Sequence, residues 1–273
     1  MEKKVAFVTG AGMGVGYGIA YEFAKAGYDI AIHHSPSSTE GARELSERVA
    51  REFGTRTLVM EGDLTRSGVM QDMIGRIEKE FDRLDVYVNN AGVTKIGPVV
   101  NVSEEDYDTV FNINFKACYF GIQGAARLMA TRGIRGSIIV IMSNHINLKN
   151  GFNSLYASSK VALQKLVETA CVELAPFGIR VNGIAPGFVD THSDRMPADP
   201  SVTFDRIPMR RWVSMEEMGQ MALYLCGPYA QSIDGHVIFC DGGAANAQGM
   251  SGRGIIEKRA EEARLSILAD DEV

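Results

Sequence analysis

The sequence predicts a single doubly wound α/β domain, with about seven parallel strands and helices on both faces. Three observations favour it. Short β-branched apolar runs alternate with longer amphipathic stretches from one end of the chain to the other. The short runs are apolar at successive positions, which is typical of strands buried on both faces of a parallel sheet. No linker, repeat or low-complexity tract interrupts the alternation, and right-handed crossovers then place helices on both faces.

The strands and helices are expected in a regular order. Strands are predicted at 4–9, 29–34, 56–61, 85–90, 137–143, 179–185 and 236–240. Between them, amphipathic helices are predicted at 38–53 and 70–81, and two longer helices at roughly 105–131 and 155–176. The domain is expected to span 1–245, including a segment rich in Pro and Asp at 190–212. A tail at 246–273 is predicted to form a helical extension with an amphipathic pattern.

Composition and charge exclude several classes of function. The chain has 273 residues, a net charge of −6 and 45% apolar residues, so it has a large core and no general attraction for nucleic acid or anionic lipid. No apolar segment approaches the ~20 residues of a membrane span, and no secretory signal is apparent. The cysteines are scattered without a CxxC pair, which predicts neither a metal site nor a disulfide framework. We therefore expect a cytoplasmic protein that acts on a small molecule.

A glycine-rich turn follows the first predicted strand. "TGAGMGVG" (9–16) fits the pattern T-G-x-x-x-G-x-G, with glycines at 10, 14 and 16, but not G-x-G-x-x-G. Without Cβ atoms the backbone can turn tightly, and a pyrophosphate can approach the N–H groups at the helix N-terminus. A tight strand-to-helix turn without a ligand would need the same glycines. The position after the first strand of an α/β sheet favours the binding of a dinucleotide.

Four motifs, in order and in spacing, resemble the short-chain dehydrogenase/reductase family over about residues 4–245. They are "TGAGMGVG", "NNAG" (89–92), Ser143 with "YASSK" (156–160), and "PG" (186–187) followed by Thr191; "DGG" (241–243) also resembles a family signature. The resemblance is to members similar to 3-oxoacyl reductases and sugar dehydrogenases. It implies a Rossmann-like domain and an NAD(P)-dependent enzyme that interconverts a carbonyl and a secondary alcohol by hydride transfer.

The resemblance also implies a catalytic set. Tyr156 would exchange a proton with the substrate oxygen, Lys160 would assist it, and Ser143 would hold the substrate. Tyr156 and Lys160 lie four residues apart on a predicted helix, so they share one face, and an ammonium near a phenol stabilises the phenolate. Asn114 would support a water relay to Lys160, a role for which Asn112 competes. Taken alone, Lys160 could be a solvated helix lysine and Ser143 a hydroxyl at the end of a strand. Taken together with the other motifs, these residues favour a catalytic role.

A longer set of residues is expected to contact the dinucleotide. It comprises Gly10, Gly14, Val15, Gly16, His34, Ser35, Asp63, Leu64, Asn90, Ala91, Gly92, Tyr156, Lys160, Pro186, Gly187, Val189 and Thr191. In relatives, an Asp at the position of Asp63 holds the adenine amino group, although Asp63 could instead cap the following helix.

The end of the second strand bears on which dinucleotide binds. "AIHHSPSST" (31–39) has no carboxylate to accept a hydrogen bond from a ribose 2′-hydroxyl. Its serine hydroxyls, with His34, favour a 2′-phosphate, although no Arg or Lys stands there. We therefore expect NADP(H) to be favoured over NAD(H).

The substrate is less determined. The 190–212 segment is expected to close over it, and Ser143, His145 and Tyr156 are predicted to contact it, with His192 nearby. These polar groups favour a sugar or polyol; a 3-oxoacyl or steroid reductase remains an alternative, with aromatic residues such as Phe188 and Trp212 as an apolar wall. A dinucleotide-binding regulator without chemistry is a further alternative, although Tyr156 and Lys160 are both present.

The resemblance implies a homotetramer built through the two long helices. The tail at 246–273 has apolar residues on one helical face, at Ile256, Ala260, Ala263 and Ile267. That face is expected to pack either on a neighbouring subunit or on its own domain, and the sequence does not choose between them.

Overall fold

A parallel sheet forms the centre of the protein, in a computed structural model that describes residues 3–149, 151–191, 201–204 and 206–247. The strands are β1 (Val5–Val8), β2 (Asp29–His34), β3 (Thr57–Glu61), β4 (Val86–Asn89), β5 (Ser137–Ile141), β6 (Arg180–Pro186), β7 (Val189–Asp190), β8 (Val213–Ser214) and β9 (Val237–Cys240). Seven of them form the sheet, in the order β3-β2-β1-β4-β5-β6-β9, and every pair is parallel. The predicted fold class is confirmed, and each predicted strand is present with its ends shifted by at most two residues.

Helices connect the strands. They are α1 (Gly14–Lys25), α2 (Thr39–Phe53), α3 (Val69–Phe81), α4 (Glu104–Phe111), α5 (Ala117–Thr131), α6 (Ser154–Leu174), α7 (Ser201–Phe204) and α8 (Met215–Cys226). Where a continuous helix is predicted at 105–131, a π-helical turn (Asn112–Lys116) separates α4 from α5. The helices α7 and α8 and the strands β7 and β8 were not predicted. The two short strands pair with each other as a small parallel ladder beside the main sheet.

The sheet is buried on both faces because its strands are apolar at successive positions. In β1, Val5 and Phe7 pack into one core with α3, α5 and α6, while Ala6 and Val8 pack into a second core with α1, α2 and α8. All four side chains are 0% exposed. This is the packing that continuous apolar strands predict.

The order of the strands places a crevice at the carboxyl ends of the central strands β1 and β4. Beginning at β1, the chain builds outward to β2 and β3, then returns to place β4 on the other side of β1. The loops after β1 and β4 therefore leave the sheet in opposite directions. A crevice at such a switch point is where open α/β sheets bind their ligands.

Parts of two predicted segments lie outside the described residues. Positions 192–200 of the 190–212 segment, including His192, are among them, as is 248–273 of the tail with its predicted helix. The residues that flank the first segment are joined by a hydrogen bond from the Val213 N–H to the Phe188 carbonyl (2.9 Å). The domain boundary at 245 remains a prediction. Among the described helices, none is both long and apolar enough to cross a bilayer.

Candidate active site

A cleft of about 1070 Å³ opens at the carboxyl ends of the central strands. Its volume is at the upper end of the roughly 300–1,000 Å³ typical of ligand pockets. Ten of the predicted cofactor residues line it: Gly10, Gly14, Val15, Ser35, Asp63, Leu64, Asn90, Ala91, Gly92 and Thr191. The remaining predicted cofactor residues, which do not line it, are Gly16, His34, Tyr156, Lys160, Pro186, Gly187 and Val189.

The glycine turn after β1 is held by the "NNAG" segment after β4. The Asn90 side-chain amide donates to the carbonyls of Thr9 (2.9 Å) and Gly10 (3.2 Å). In return, the Thr9 hydroxyl oxygen accepts from the backbone N–H groups of Asn90 (2.9 Å) and Ala91 (3.1 Å). Gly14, at φ +57°, has the left-handed backbone that favours glycine. The turn is therefore held by hydrogen bonds to the segment after β4.

Gly92 lies where the cleft meets the predicted catalytic side chains. A Cβ added to Gly92 would lie 3.3 Å from the Lys160 Nζ and 3.3 Å from the Asn114 Oδ1. Both polar groups thus converge on a backbone that carries no side chain of its own. Together with the glycine turn, this is the bare, amide-lined surface that a dinucleotide requires, so the residues present fit such a cofactor.

Asn114 lies in the π-helical turn between α4 and α5 and is fully buried. Its Oδ1 accepts from the Val93 N–H (2.8 Å), and its Nδ2 donates to the Val93 carbonyl (3.0 Å) and the Ser159 hydroxyl (2.9 Å). It thereby joins α6 to the loop after β4. Asn112, the competing residue, is half-buried in the same turn. Wide turns of this kind are frequent at functional sites.

Lys160 is a buried lysine with a fixed position. It is 3% exposed, and its Nζ donates to the carbonyl of Ile141 at the end of β5 (3.0 Å). Tyr156, one turn earlier on α6, has its ring centroid 5.7 Å from that Nζ. The predicted shared face is therefore present, and the ammonium lies beside the phenol ring. A buried ammonium needs compensating polar groups, which the Ile141 carbonyl partly provides.

Ser143 and His145 form a pair that contacts the Tyr156 ring through His145. The Ser143 Oγ lies 3.0 Å from the His145 Nδ1 and accepts from the His145 backbone N–H at 3.3 Å. The rings of His145 and Tyr156 pack edge to face, with centroids 5.7 Å apart. Burial lowers the pKa of His145 below its ordinary value. The three residues predicted to contact the substrate are thus brought together.

At the end of β2, serine hydroxyls line the cleft but His34 does not. Ser35 Oγ lies 2.9 Å from Ser37 Oγ and 3.3 Å from Ser38 Oγ. The His34 ring is 3% exposed, and its Nδ1 lies 3.0 Å from the Ser35 carbonyl, so the predicted contact with the cofactor has no support from this placement. Among the described lining residues there is no Lys or Arg.

Asp63 lies at the same end of the cleft. Its Oδ1 accepts from the Thr65 N–H (2.9 Å) and hydroxyl (2.7 Å), and these bonds lower the pKa of the carboxyl group. It does not cap α3, because Gly68 occupies the position before that helix. Of the two interpretations of Asp63, placement at the cleft is therefore the one that the geometry supports.

The "PG" segment packs against the "DGG" turn. The Gly187 N–H donates to the Cys240 carbonyl (3.0 Å), and a Cβ at Gly187 would lie 2.8 Å from that of Asp241. Pro186 and Val189 are buried beside it. Only Thr191 of this group lines the cleft, near Gly14, where a Cβ would lie 3.3 Å from the Thr191 Cγ2.

His33 is the residue that the sequence interpretation missed. It lines the cleft, is 2% exposed, and both of its ring nitrogens face backbone groups. The sequence offers two adjacent histidines in an apolar strand, and no alternation shows which of them faces the cleft.

As to metals, the described residues contain no cluster of three or more His, Cys, Asp or Glu side chains that could hold one.

Fold and site together define a doubly wound α/β protein with a glycine-lined cleft near Tyr156, Lys160 and the pair of Ser143 and His145. Comparisons with known proteins are consistent with this class. A sequence profile described as enoyl-(acyl carrier protein) reductase, from the short-chain dehydrogenases and reductases, matches residues 10–245. The chain therefore belongs to the short-chain dehydrogenase/reductase family and is an NAD(P)-dependent oxidoreductase of that family.

Individual relatives are similar at about the same level but are named for different substrates. A hydroxynaphthalene reductase-like protein of Metarhizium robertsii is 31% identical, covering 88% of this chain and 94% of the relative. Glucose 1-dehydrogenase 2 of Bacillus subtilis is 30% identical, covering 88% and 94%. The crystal structure of acetoin dehydrogenase from Enterobacter cloacae has 30% identity and a TM-score of 0.84, covering 91% of this chain and 98% of that one. The family is shared, and the substrate differs from one relative to the next.

Proposed function

We propose that the protein interconverts a carbonyl and a secondary alcohol by hydride transfer, with Tyr156 as the acid/base. The observation that carries this proposal is the position of the Tyr156 ring. Its centroid lies 5.7 Å from the buried Lys160 ammonium and 5.7 Å from the ring of His145, which in turn bonds to Ser143. The Lys160 ammonium also lies close to Gly92 of the glycine-lined cleft. When bound, a nicotinamide dinucleotide supplies or accepts the hydride.

The side chains of this protein would handle the proton and the substrate oxygen. In reduction, the Tyr156 hydroxyl gives its proton to the carbonyl oxygen, and in oxidation the phenolate takes it back. Lys160 stabilises the phenolate by its charge and is held in place by the Ile141 carbonyl. Ser143 holds the substrate oxygen through its Oγ. Asn114 keeps the π-helical turn against Val93 and Ser159, and through this placement supports the relay of protons from Lys160.

The substrate class that we propose is a sugar, a polyol or a small hydroxyketone. The polar pair of Ser143 and His145 supports a hydroxylated substrate because a site that offers hydrogen bonds rejects analogues that lack the partner group. The names of two relatives, a glucose dehydrogenase and an acetoin dehydrogenase, point the same way.

A larger substrate, such as an aromatic ketone, a 3-oxoacyl compound or a steroid, is the second candidate. Phe188 and Trp212 stack with ring centroids 6.4 Å apart in the segment that follows "PG". The Trp212 Nε1 is held by the Thr203 hydroxyl at 2.7 Å, so this apolar wall has a defined position. A relative named for hydroxynaphthalene supports the same alternative.

For the cofactor we propose that NADP(H) is favoured over NAD(H), but only modestly. Ser35 and Ser38 line the cleft, and their hydroxyls converge where the end of β2 lacks a carboxylate. Neutral hydrogen bonds contribute roughly 0.5–1.5 kcal/mol each, and no basic side chain of the described lining adds to them. We therefore expect a preference of roughly tenfold or less.

We also propose a homotetramer built through α5 and α6. Apolar side chains on and just after these helices are exposed in the single chain, among them Tyr119 (46%), Val172 (72%) and Phe177 (55%). Such a surface is typical of one that another subunit covers. Light scattering on the purified protein tests the subunit number.

One panel experiment tests the proposed reaction. Sugars, polyols, acetoin-like hydroxyketones, 3-oxoesters, aromatic ketones and steroids are assayed by nicotinamide absorbance, with NADPH and NADH at matched low concentration. We expect turnover with one hydroxylated class and a small advantage for the phosphorylated cofactor. Binding of the dinucleotide without turnover of any compound would favour a regulator that has the fold but no chemistry.

A further inference from the structure

The His33 ring, in the last part of β2, joins two loops at the cleft. Its Nδ1 lies 3.0 Å from the backbone nitrogen of Gly10, in the turn after β1. Its Nε2 lies 3.1 Å from the carbonyl oxygen of Gly62, in the loop after β3. His33 itself is at the end of β2, and its own carbonyl accepts from the Ala11 N–H at 2.8 Å. One residue therefore binds two successive amides of the glycine turn.

The two backbone partners determine which ring nitrogen carries the proton. A backbone N–H can only donate, so the Nδ1 that faces Gly10 must present a lone pair. A carbonyl oxygen can only accept, so the Nε2 that faces Gly62 must carry the hydrogen. The ring is therefore neutral and in a single tautomer. Burial lowers the pKa of His33 to about 4, which keeps the ring neutral near pH 7.

The glycine turn depends on this arrangement because its amides must point in set directions. With the Gly10 and Ala11 N–H groups bonded to His33, the N–H groups further along the turn and at the start of α1 remain to face an anionic ligand. The bond to Gly62 serves a different loop, the one that leads to Asp63 and Leu64. The two ring nitrogens thus have separable roles.

We propose that His33 is a positioning residue for the dinucleotide, and that it acts by accepting the Gly10 N–H through Nδ1. This inference rests on the proposed binding of the dinucleotide in the cleft. It assigns His33 no direct part in the chemistry. If His33 had only a structural role, loss of either ring-nitrogen bond would weaken dinucleotide binding equally. Under this proposal, the affinity for the dinucleotide depends on the Nδ1 bond alone.

Two substitutions separate the two nitrogens. In His33→Asn, the side-chain oxygen can take the place of Nδ1 and accept from Gly10, while the bond to Gly62 is lost. In His33→Gln, the side-chain amide can take the place of Nε2 and donate to Gly62, while the Gly10 N–H is left without its acceptor. His33→Leu loses both bonds. The dissociation constants of NADPH and NADH are measured on the full chain by nicotinamide fluorescence at pH 7, together with the melting temperatures.

We expect His33→Asn to bind dinucleotide within about threefold of the wild type, and His33→Gln and His33→Leu to bind it roughly tenfold more weakly or worse, as for an unpaired buried N–H. In steady-state assays, the loss should fall mainly in the KM of the dinucleotide and not in kcat. Equal dissociation constants for His33→Asn and His33→Gln would overturn the inference alone. Failure of the wild type to bind either dinucleotide would overturn the proposed function and, with it, this inference.

A measurement on the unmodified protein guards against variants that do not fold. Nitrogen-15 spectra of the histidine rings, recorded without cofactor at pH 7, report the tautomer of each ring. We expect one ring with a protonated Nε2 and a bare Nδ1, and we expect its signals to be absent in His33→Leu. A charged ring, or one protonated at Nδ1, would overturn the inference.

Discussion

The two ends of the candidate active site are built in different ways: the proposed nucleotide end is the cleft, and the proposed chemical end lies next to it. At the nucleotide end, the backbone of the turn after β1 bonds to the side chains of Asn90 and His33. At the chemical end, side chains of α6 meet those of the segment after β5, and the Tyr156 ring lies 5.7 Å from both the Lys160 Nζ and the His145 ring. The difference indicates that substitutions at the nucleotide end act on binding through the backbone. Substitutions at the chemical end act on turnover through the loss of one functional group.

The relatives show that the fold does not fix the substrate. Proteins about 30% identical to this chain share its fold but are named for glucose, acetoin and hydroxynaphthalene. Because function resides in loops carried on a common scaffold, we expect the loops beside the cleft to decide the substrate.

The largest effect is expected at the chemical end. Tyr156→Phe removes the proton that the reaction needs while keeping the ring, so kcat should fall by roughly 10²–10⁴-fold. The dissociation constant of the dinucleotide should change little, because this side chain does not line the cleft. Tyr229→Phe, at a tyrosine that is 87% exposed, is the matched control. Turnover retained by Tyr156→Phe would show that the acid/base assignment is wrong.

The next effect concerns stability against pH at the nucleotide end. His33 has a folded-state pKa of about 4, below the ordinary value of about 6.5, so between these values the unfolded chain binds a proton that the folded ring refuses. The free energy of unfolding should therefore fall as pH drops from about 6.5 to 4, by about 3 kcal/mol from this residue. Urea unfolding of the wild type and His33→Asn at several pH values measures it.

Two details sharpen this test. His145, at the chemical end, also has a lowered pKa and contributes with the same sign, so only the difference between wild type and His33→Asn reports His33. The stability of the variant should depend less on pH across that range. Parallel curves for the two proteins would contradict a neutral, buried His33.

A backbone change should produce an intermediate effect. Gly14→Ala forces a side chain onto a residue at φ +57° and brings its Cβ to 3.3 Å from Thr191. The strain costs about 1–2 kcal/mol, and at this position it should also weaken dinucleotide binding, measured by fluorescence titration. Gly27→Ala is the control: its φ is +89°, but nothing lies within 4 Å of the added Cβ. Both variants should lose stability, and only Gly14→Ala should lose affinity. Equal dinucleotide affinity in the two variants would argue against binding of the dinucleotide at this turn.

The smallest effect is expected at the serine hydroxyls. Ser35→Ala removes one neutral hydrogen-bond donor from the end of β2, so the ratio of kcat/KM values for NADPH and NADH should fall by roughly tenfold or less. Ser232→Ala, at an exposed serine that does not line the cleft, serves as the control. An unchanged ratio in Ser35→Ala would remove the support for the proposed NADP(H) preference.

Several features of the structure carried no sequence signal. The π-helical turn at Asn112–Lys116 interrupts a stretch whose apolar periodicity suits an ordinary helix, because one extra residue in a turn leaves no compositional mark. The two-residue strands β7 and β8 are too short for alternation to show. Asp63 had two interpretations, and only the position of Gly68 before α3 separates them.

What the chain alone could reveal was the order of its parts: seven apolar runs, a glycine turn after the first, and Tyr156 one turn from Lys160. Such features are local, and hydrophobic period and glycine spacing report them directly. Local patterns could not show which of His33 and His34 faces the cleft. Both side chains of that strand end are buried, so no polar alternation distinguishes them, and only the approach of Gly10 and Gly62 from two other loops shows which ring faces the cleft. Contacts between segments that are distant in sequence form only when the sheet brings the ends of its strands together. They are therefore decided by tertiary packing and not by local sequence patterns.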